Sequence, residues 1–237
     1  AVSLTFDDGA ESQLKRAIPL MNKRGLRGTF YLCPKGDDYA ARLAVWKDVL
    51  AAGHEIGNHS LNHTCSRNFN PQRGARGLET MSLADIEKDV VDAERRLREV
   101  LGPVAARSFC YPCYQTDVGE GLTRQSYVPV IAKHFVAGRA AGEYAFFNSP
   151  YNADLHHLTS VPTERMPSVE MVGLAELAAR RGHWIIFVFH DIGPARLGTS
   201  EFDFLGLIDH LADNRDRFWV APVAEVALHL MKLRQAT

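Results

Sequence analysis

The chain has 237 residues, 46% of them hydrophobic and 23% charged, with a formal net charge of -1. Acidic and basic residues are interspersed, which excludes a disordered chain, a basic nucleic-acid-binding face and a polybasic membrane flank. No apolar run approaches the roughly 20 residues of a membrane-spanning helix. The chain opens directly on a core-like strand with no charged leader region. That favours a secreted or cell-envelope protein whose start has been trimmed over a cytoplasmic one.

In chain order, short β-rich runs ("VSLTF", "GTFYL", "HEIGN", "RSFCY", "HWIIFVF") are separated by segments of helical period at 11–24, 39–52, 82–101, 168–182 and 222–233. The best-formed helix starts after Ser82 as N-cap. It carries Asp85 in its first turn and an apolar stripe of Ile86, Val90, Ala93, Leu97 and Leu101, and it ends at Gly102-Pro103. Repeated βα units predict a parallel sheet of six or seven strands, and runs such as "WIIFVF" predict burial on both faces. No Gly/Pro/Ser-rich linker interrupts the series, so residues 1–237 read as one α/β domain. Residues 138–166 are the least regular stretch and read as an elaborated loop.

The polar residues fall where such a fold does chemistry. Asp7-Asp8-Gly9, His59 with His63, Pro112 with its flanking cysteines, and His190-Asp191 each follow a predicted strand. Strand C-terminal ends converge on one face in parallel α/β folds. Taken singly, Asp-Asp-Gly reads as a turn, His-x-x-x-His as a helix surface and His190 as a strand-end residue; several segments arriving at one face carry the functional reading. Two histidines four apart share a face if 59–63 begins a helix, and with one carboxylate they make a three-ligand site for a divalent metal with open positions. Of the adjacent Asp7 and Asp8, one would bind metal and the other act as base, with His190 as general acid. His54, His156 and His157 read as structural.

"LTFDDG", "GTFYL", "AAGHEIGNHSLNH", a Pro-centred motif near residue 112 and "FVFHD" together resemble the polysaccharide deacetylase family, the NodB-homology domains of carbohydrate esterase family four. The resemblance implies a single distorted (β/α)7 barrel. It implies a hydrolase that removes N- or O-linked acetyl groups from a carbohydrate polymer or oligosaccharide through metal-bound water, most often with zinc, though cobalt, manganese or nickel also serve. Carried over by position, Asp7 becomes the base, Asp8, His59 and His63 the metal ligands, His190 the acid and the Cys113 backbone N–H the oxyanion donor.

One departure stands out. Where many relatives have Phe-Arg-x-Pro-Tyr, this chain has "FCYPCY", so the arginine that orients the base is replaced by Cys110. Arg165, in "TERMP", is the nominated substitute, and Asp154 the nominated partner of His190. Loops 64–81 and 138–166 would wall the cleft, with Tyr114 and Tyr151, and also Tyr144 and Phe147, available to stack on sugar rings. A dithiol or a structural zinc site at Cys110-x-x-Cys113 is disfavoured, because Cys33 and Cys65 lack matching spacing and an extended strand separates residues three apart by about 10 Å. Cys113 is thus valued for its N–H and not its sulfur. The missing arginine motivates the main alternative, a carbohydrate-binding domain of this fold with little or no activity; an iron-dependent oxygenase fits the His/His spacing less well.

Overall fold

Hydrophobic and polar residues alternate along the first strand, and the alternation sorts them into two layers. In the computed structural model, which describes residues 1–69, 76–142 and 146–236, β1 (Val2–Asp7) turns Leu4 and Phe6 outward onto helices and Ser3, Thr5 and Asp7 inward. The parallel strands β2 (Thr29–Leu32), β3 (Glu55–Asn58), β4 (Ser108–Cys110), β5 (Ala137–Arg139), β6 (Val161–Pro162) and β7 (Ile185–Phe189) complete a sheet in the order β5-β4-β3-β2-β1-β7-β6. The strand ends meet: Leu158, just before β6, bridges Arg139 at the end of β5 while β6 pairs with β7. This curled, mostly parallel seven-stranded sheet with helices outside is a (β/α)7 barrel.

The helices are α1 (Ile18–Lys23), α2 (Tyr39–Ala44), α3 (Trp46–Ala51), α4 (Leu83–Leu101), α5 (Val128–His134), α6 (Ser168–Arg180), α7 (Glu201–Asp213) and α8 (Val223–Gln235). α4 begins as expected: Ser82 Oγ accepts the Asp85 N–H at 3.2 Å while Asp85 Oδ2 accepts the Ser82 N–H at 2.9 Å. Ile86, Val90, Ala93 and Leu97 of the α4 stripe are buried, Leu101 is half-buried, and Asp89 on the same helix is buried too. Helices α5 and α7 and strands β5 and β6 are additions to the elements read from the sequence. Among the described residues no helix lies between β5 and β6, which is the distortion of the barrel.

The barrel interior is polar and spans from end to end. At the N-terminal mouth, Glu55 accepts hydrogen bonds from the Ser108 N–H (2.8 Å), Ser108 Oγ (2.7 Å), Thr29 Oγ1 (2.9 Å) and the Ala224 N–H (2.9 Å). The Tyr31 ring crosses the interior and its hydroxyl meets Ser108 Oγ at 2.8 Å. Gly57 makes room for it, since a Cβ there would overlap the Tyr31 ring. Among the described residues no helix is long and apolar enough to cross a membrane.

Candidate active site

Sheet register brings the polar strand ends together. Asp7 pairs with Tyr31, Asn58 with Phe109 and Cys110 with Arg139, so the residues that follow or end these strands ring the C-terminal mouth. Gln13, buried between two strand ends, donates its side-chain amide to the carbonyls of Asp7 (2.6 Å) and His190 (2.8 Å) and sets the spacing of β1 and β7. Among the described residues six non-glycine residues have positive φ, namely Asp8, Ser60, His63, Cys113, Tyr114 and Arg165, and they cluster on the loops around this mouth. Left-handed backbone is costly for such residues, and its concentration here marks a constrained site.

Residues 59–63 form a tight turn and not the start of a helix, so His59 and His63 converge by a different route from the one expected. The Asn58 side chain accepts the Ser60 N–H at 2.9 Å and Ser60 Oγ accepts the His63 N–H at 3.0 Å, which curls the chain back on itself. The rings pack edge to face with centroids 4.6 Å apart. Asp8 Oδ1 lies 3.7 Å from His59 Nε2 and 3.4 Å from His63 Nε2. The donor set fits a divalent metal. His59 Nδ1 is 2.9 Å from the Cys110 carbonyl, which can only accept, so Nδ1 carries the proton and Nε2 turns its lone pair toward Asp8. Burial lowers the His59 pKa to about 4 against the pull of Asp7, so the ring stays neutral, as a ligand must be. Among the described residues two other clusters of ligand atoms fit less well. In one, Cys65 and Cys113 are spent in a disulfide; in the other, burial raises the Cys110 thiol well above its usual pKa.

Asp7 is buried at the centre of the mouth. One Arg139 Nη lies 2.7 Å from Oδ1 and 2.5 Å from Oδ2. Burial alone would raise the Asp7 pKa, but Arg139, then His59 and His190, outweigh it and hold the carboxyl below its ordinary value. His190 Nε2 is 3.9 Å from Asp7 Oδ2, and its Nδ1 is 3.2 Å from Glu164 Oε1, off the line of a good hydrogen bond but at ion-pair distance. Burial lowers the His190 pKa, yet Glu164, Asp7 and Asp8 more than offset this and raise it. The two neighbouring groups are thus shifted in opposite directions, Asp7 toward the carboxylate and His190 toward the imidazolium.

The third motif departs most from expectation. Pro112–Tyr114 forms a single 3-10 turn with Cys113 at φ 52° and ψ 23°. Among the described residues no group accepts the Cys113 N–H, which leaves that donor available. Its sulfur is not idle, however: Cys113 is bonded to Cys65, with Cα atoms 5.8 Å apart. The sequence could not pair two cysteines 48 positions apart without the fold that brings the 60–66 segment over the 112–114 turn. The Cys110 thiol lies against Asp7 Oδ2 (3.7 Å), His59 Nε2 (4.0 Å) and the Arg139 guanidinium.

Three nominations require correction. Arg165 is exposed in a turn, its N–H bonded to Gly198 O, and the guanidinium that reaches Asp7 belongs to Arg139. Arg139 ends the short run "FVAG", which hinted at a strand inside the supposed loop. Asp154 is exposed beside His156, and the carboxylate at His190 is Glu164, one position before Arg165. Tyr151 is 78% exposed at the opposite end of the barrel: nearby Asn148 pairs with Trp184, which precedes the start of β7, and Arg234 near the end of α8 binds the Pro150 and Ala153 carbonyls. Phe147 packs against the core. Tyr144 lies outside the described residues.

Tyr114, in contrast, lies at the mouth, beside Arg139. Its ring lies 5.5 Å from the Arg139 guanidinium carbon, and its buried hydroxyl has no partner among the described residues. A cleft of about 730 Å³ opens beside His63 and the disulfide, lined also by Phe69 and Arg196. Phe69, an exposed aromatic in the 64–81 loop, was not singled out from the sequence. His54 is structural: its Nδ1 accepts the Gly28 N–H at 3.1 Å, its Nε2 meets Asn22 Oδ1 at 3.0 Å, and burial lowers its pKa to about 4.

Comparison with known proteins agrees with this geometry. Residues 1–119 match the family model described as polysaccharide deacetylase. A peptidoglycan-N-acetylglucosamine deacetylase of Bacillus cereus is 26% identical over 95 residues, 40% of this chain and 38% of that protein, so the match spans well under half of the relative's length. Among solved structures, a family 4 acetyl xylan esterase from Clostridium thermocellum, in complex with a cobalt ion, superposes with a TM-score of 0.58 at 19% identity, covering 95% of this chain and 89% of that one. The CE4 domain of a multidomain xylanase from the hindgut metagenome of Trinervitermes trinervoides gives 0.58 at 16% identity, over 95% and 88%. A CE4-family pseudoenzyme from Bacillus anthracis gives 0.53 at 15%, over 95% and 64%. At these identities the likeness establishes the shared fold.

Proposed function

The chain belongs to the polysaccharide deacetylase family, and from that premise we propose that it is a metal-dependent hydrolase releasing acetate from an acetylated carbohydrate, with Asp7 as general base and His190 as general acid. The observation that carries this reading is the pairing at the mouth of a carboxyl and an imidazole, each beside its own counter-charge, Arg139 and Glu164. Arg139 draws the Asp7 pKa below its ordinary value and Glu164 draws that of His190 above its own, with 3.9 Å between Asp7 Oδ2 and His190 Nε2. A binding domain would need neither.

A divalent metal held by Asp8, His59 and His63, zinc or else cobalt, manganese or nickel, would supply Lewis-acid polarisation of the acetyl carbonyl. Asp7 takes the proton of the attacking water, and Arg139 holds its carboxylate in place for that transfer. The Cys113 N–H donates to the developing oxyanion, and the left-handed backbone at Cys113 aims it. His190 Nε2 then protonates the departing amine or alcohol, with Glu164 balancing the imidazolium. Tyr114 roofs Arg139, and its unpartnered hydroxyl is available to a sugar.

The binding-domain alternative drew on the arginine absent at position 110, and the Arg139–Asp7 contact removes that motive. The disulfide and the peptidoglycan substrate in the relative's name support action outside the cytoplasm. The test is an acetate-release screen over chitooligosaccharides, peptidoglycan, acetylated xylan and small acetyl esters. We expect release from at least one, abolished by Asp7→Asn with metal still bound; no release from any, with no metal bound, would overturn the reading.

A further inference from the structure

The two histidines of the metal site are held in different ways. His59 directs its Nδ1 proton to the Cys110 carbonyl at 2.9 Å, the usual arrangement for a ligating imidazole, in which an oxygen on the far nitrogen fixes the ring. His63 has no such oxygen among the described residues; its Nδ1 faces Cys65 Sγ at 3.6 Å. That sulfur is bonded to Cys113, so it has no proton to give and accepts only weakly. The ring of His63 is therefore set by contact with the bridge. On the other side of the segment, Asp89 of α4 accepts the Leu61 N–H at 2.9 Å and the Asn62 N–H at 3.4 Å, and also binds the Asn62 side chain.

The far end of the bridge is Cys113, whose N–H serves the oxyanion in the proposed reaction. One covalent link thus joins a metal ligand two residues from Cys65 to the oxyanion donor in a left-handed turn. We infer that the Cys65–Cys113 disulfide is a positioning element of the site, fixing His63 from one end and the Cys113 N–H from the other, with Asp89 anchoring the same segment. This rests on the hydrolase reading given above.

The test compares wild type with Cys65→Ala/Cys113→Ala and with Asp89→Asn. It reads cobalt affinity of the metal-free proteins by calorimetry, kcat and KM for acetate release, and thermal unfolding. Loss of the bridge should weaken cobalt binding about ten- to a hundredfold and lower kcat while KM changes little; Asp89→Asn should act in the same direction. If the double variant does not fold, folded wild type is reduced with a water-soluble phosphine: the phosphine gives two electrons to the S–S bond and takes its oxide oxygen from water, whose two protons go to the two thiolates. The kcat should fall and return on reoxidation. Unchanged cobalt affinity and kcat with only a lower unfolding temperature, or unchanged kcat after reduction, would leave the bridge a mere staple and overturn the inference. If wild type itself neither binds cobalt nor releases acetate, the hydrolase reading falls and this one with it. If wild type does both and the bridgeless protein matches it, only the positioning role falls.

Discussion

Arg139 and Asp7 stand 132 positions apart in the chain and meet at the mouth of the barrel, one guanidinium nitrogen within 2.7 Å of both carboxylate oxygens. Both side chains are buried, so the pair is desolvated and either charge alone would be costly. Arg139→Gln should leave burial of Asp7 unopposed by its main counter-charge. The acidic limb of kcat/KM then moves to higher pH, and activity at neutral pH falls about a hundredfold, as expected when a base is misplaced. Cobalt affinity measured beside the pH profile should stay near wild type; a parallel collapse of affinity would assign Arg139 to the general architecture.

Glu164 acts on the other limb. It faces His190 Nδ1 and raises the imidazolium pKa against the effect of burial. The acid must be protonated, so activity is present below that pKa and is lost as pH rises through it. Glu164→Gln lowers the pKa, and the alkaline limb of the kcat/KM profile should move to lower pH, with little change at pH values where His190 is protonated in both proteins. An unmoved alkaline limb would remove Glu164 from this role.

The strand ends were legible where period and position coincide: Asp7 and Asp8 follow "VSLTF" and His190 follows "WIIFVF", runs whose hydrophobicity marks them as barrel strands, while His59 and His63 follow "HEIGN", placed by the βα alternation around it. Arg139 and Glu164 were hidden because β5 and β6 have only three and two residues, too short to show alternation against the loop around them. Cys65 was hidden for another reason. Its partner is chosen by the fold of two loops over one mouth, and spacing along the chain carries no trace of it. Tyr151 failed because an irregular loop can run to either end of a barrel, and Asn148 paired with Trp184 takes this one to the far end.

The metal site predicts a stability effect separate from turnover. Asp8, His59 and His63 converge only in the folded chain, so a cation that binds there stabilises it by mass action. Zinc or cobalt at about a hundred times its dissociation constant should contribute roughly 2.7 kcal/mol, a rise of roughly 5–10 °C in unfolding temperature for a chain of this size. Asp8→Ala should lose most of that rise, and a chelator should reverse it in wild type. An equal rise in wild type and Asp8→Ala would place the cation elsewhere.

Glu55, at the opposite end of the barrel from the chemistry, separates stability from function. Its carboxylate gathers the Ser108 backbone, two hydroxyls and the Ala224 N–H, and Thr29 Oγ1 in turn accepts the Val223 N–H at 2.9 Å. Helix α8 has no side-chain cap of its own, so these two barrel residues satisfy its first N–H groups and fix the helix across the barrel floor. Glu55→Ala strands several buried donors and should cost roughly 3 kcal/mol or more. Glu55→Gln should cost less, since one oxygen still accepts while its amide faces donors. Denaturant unfolding of the metal-free proteins measures both. Below the unfolding transition the kcat/KM of each variant should match wild type, because the residues that would move protons lie at the other end of the strands. A loss of kcat/KM in folded Glu55→Ala protein would show that the floor of the barrel communicates with its mouth.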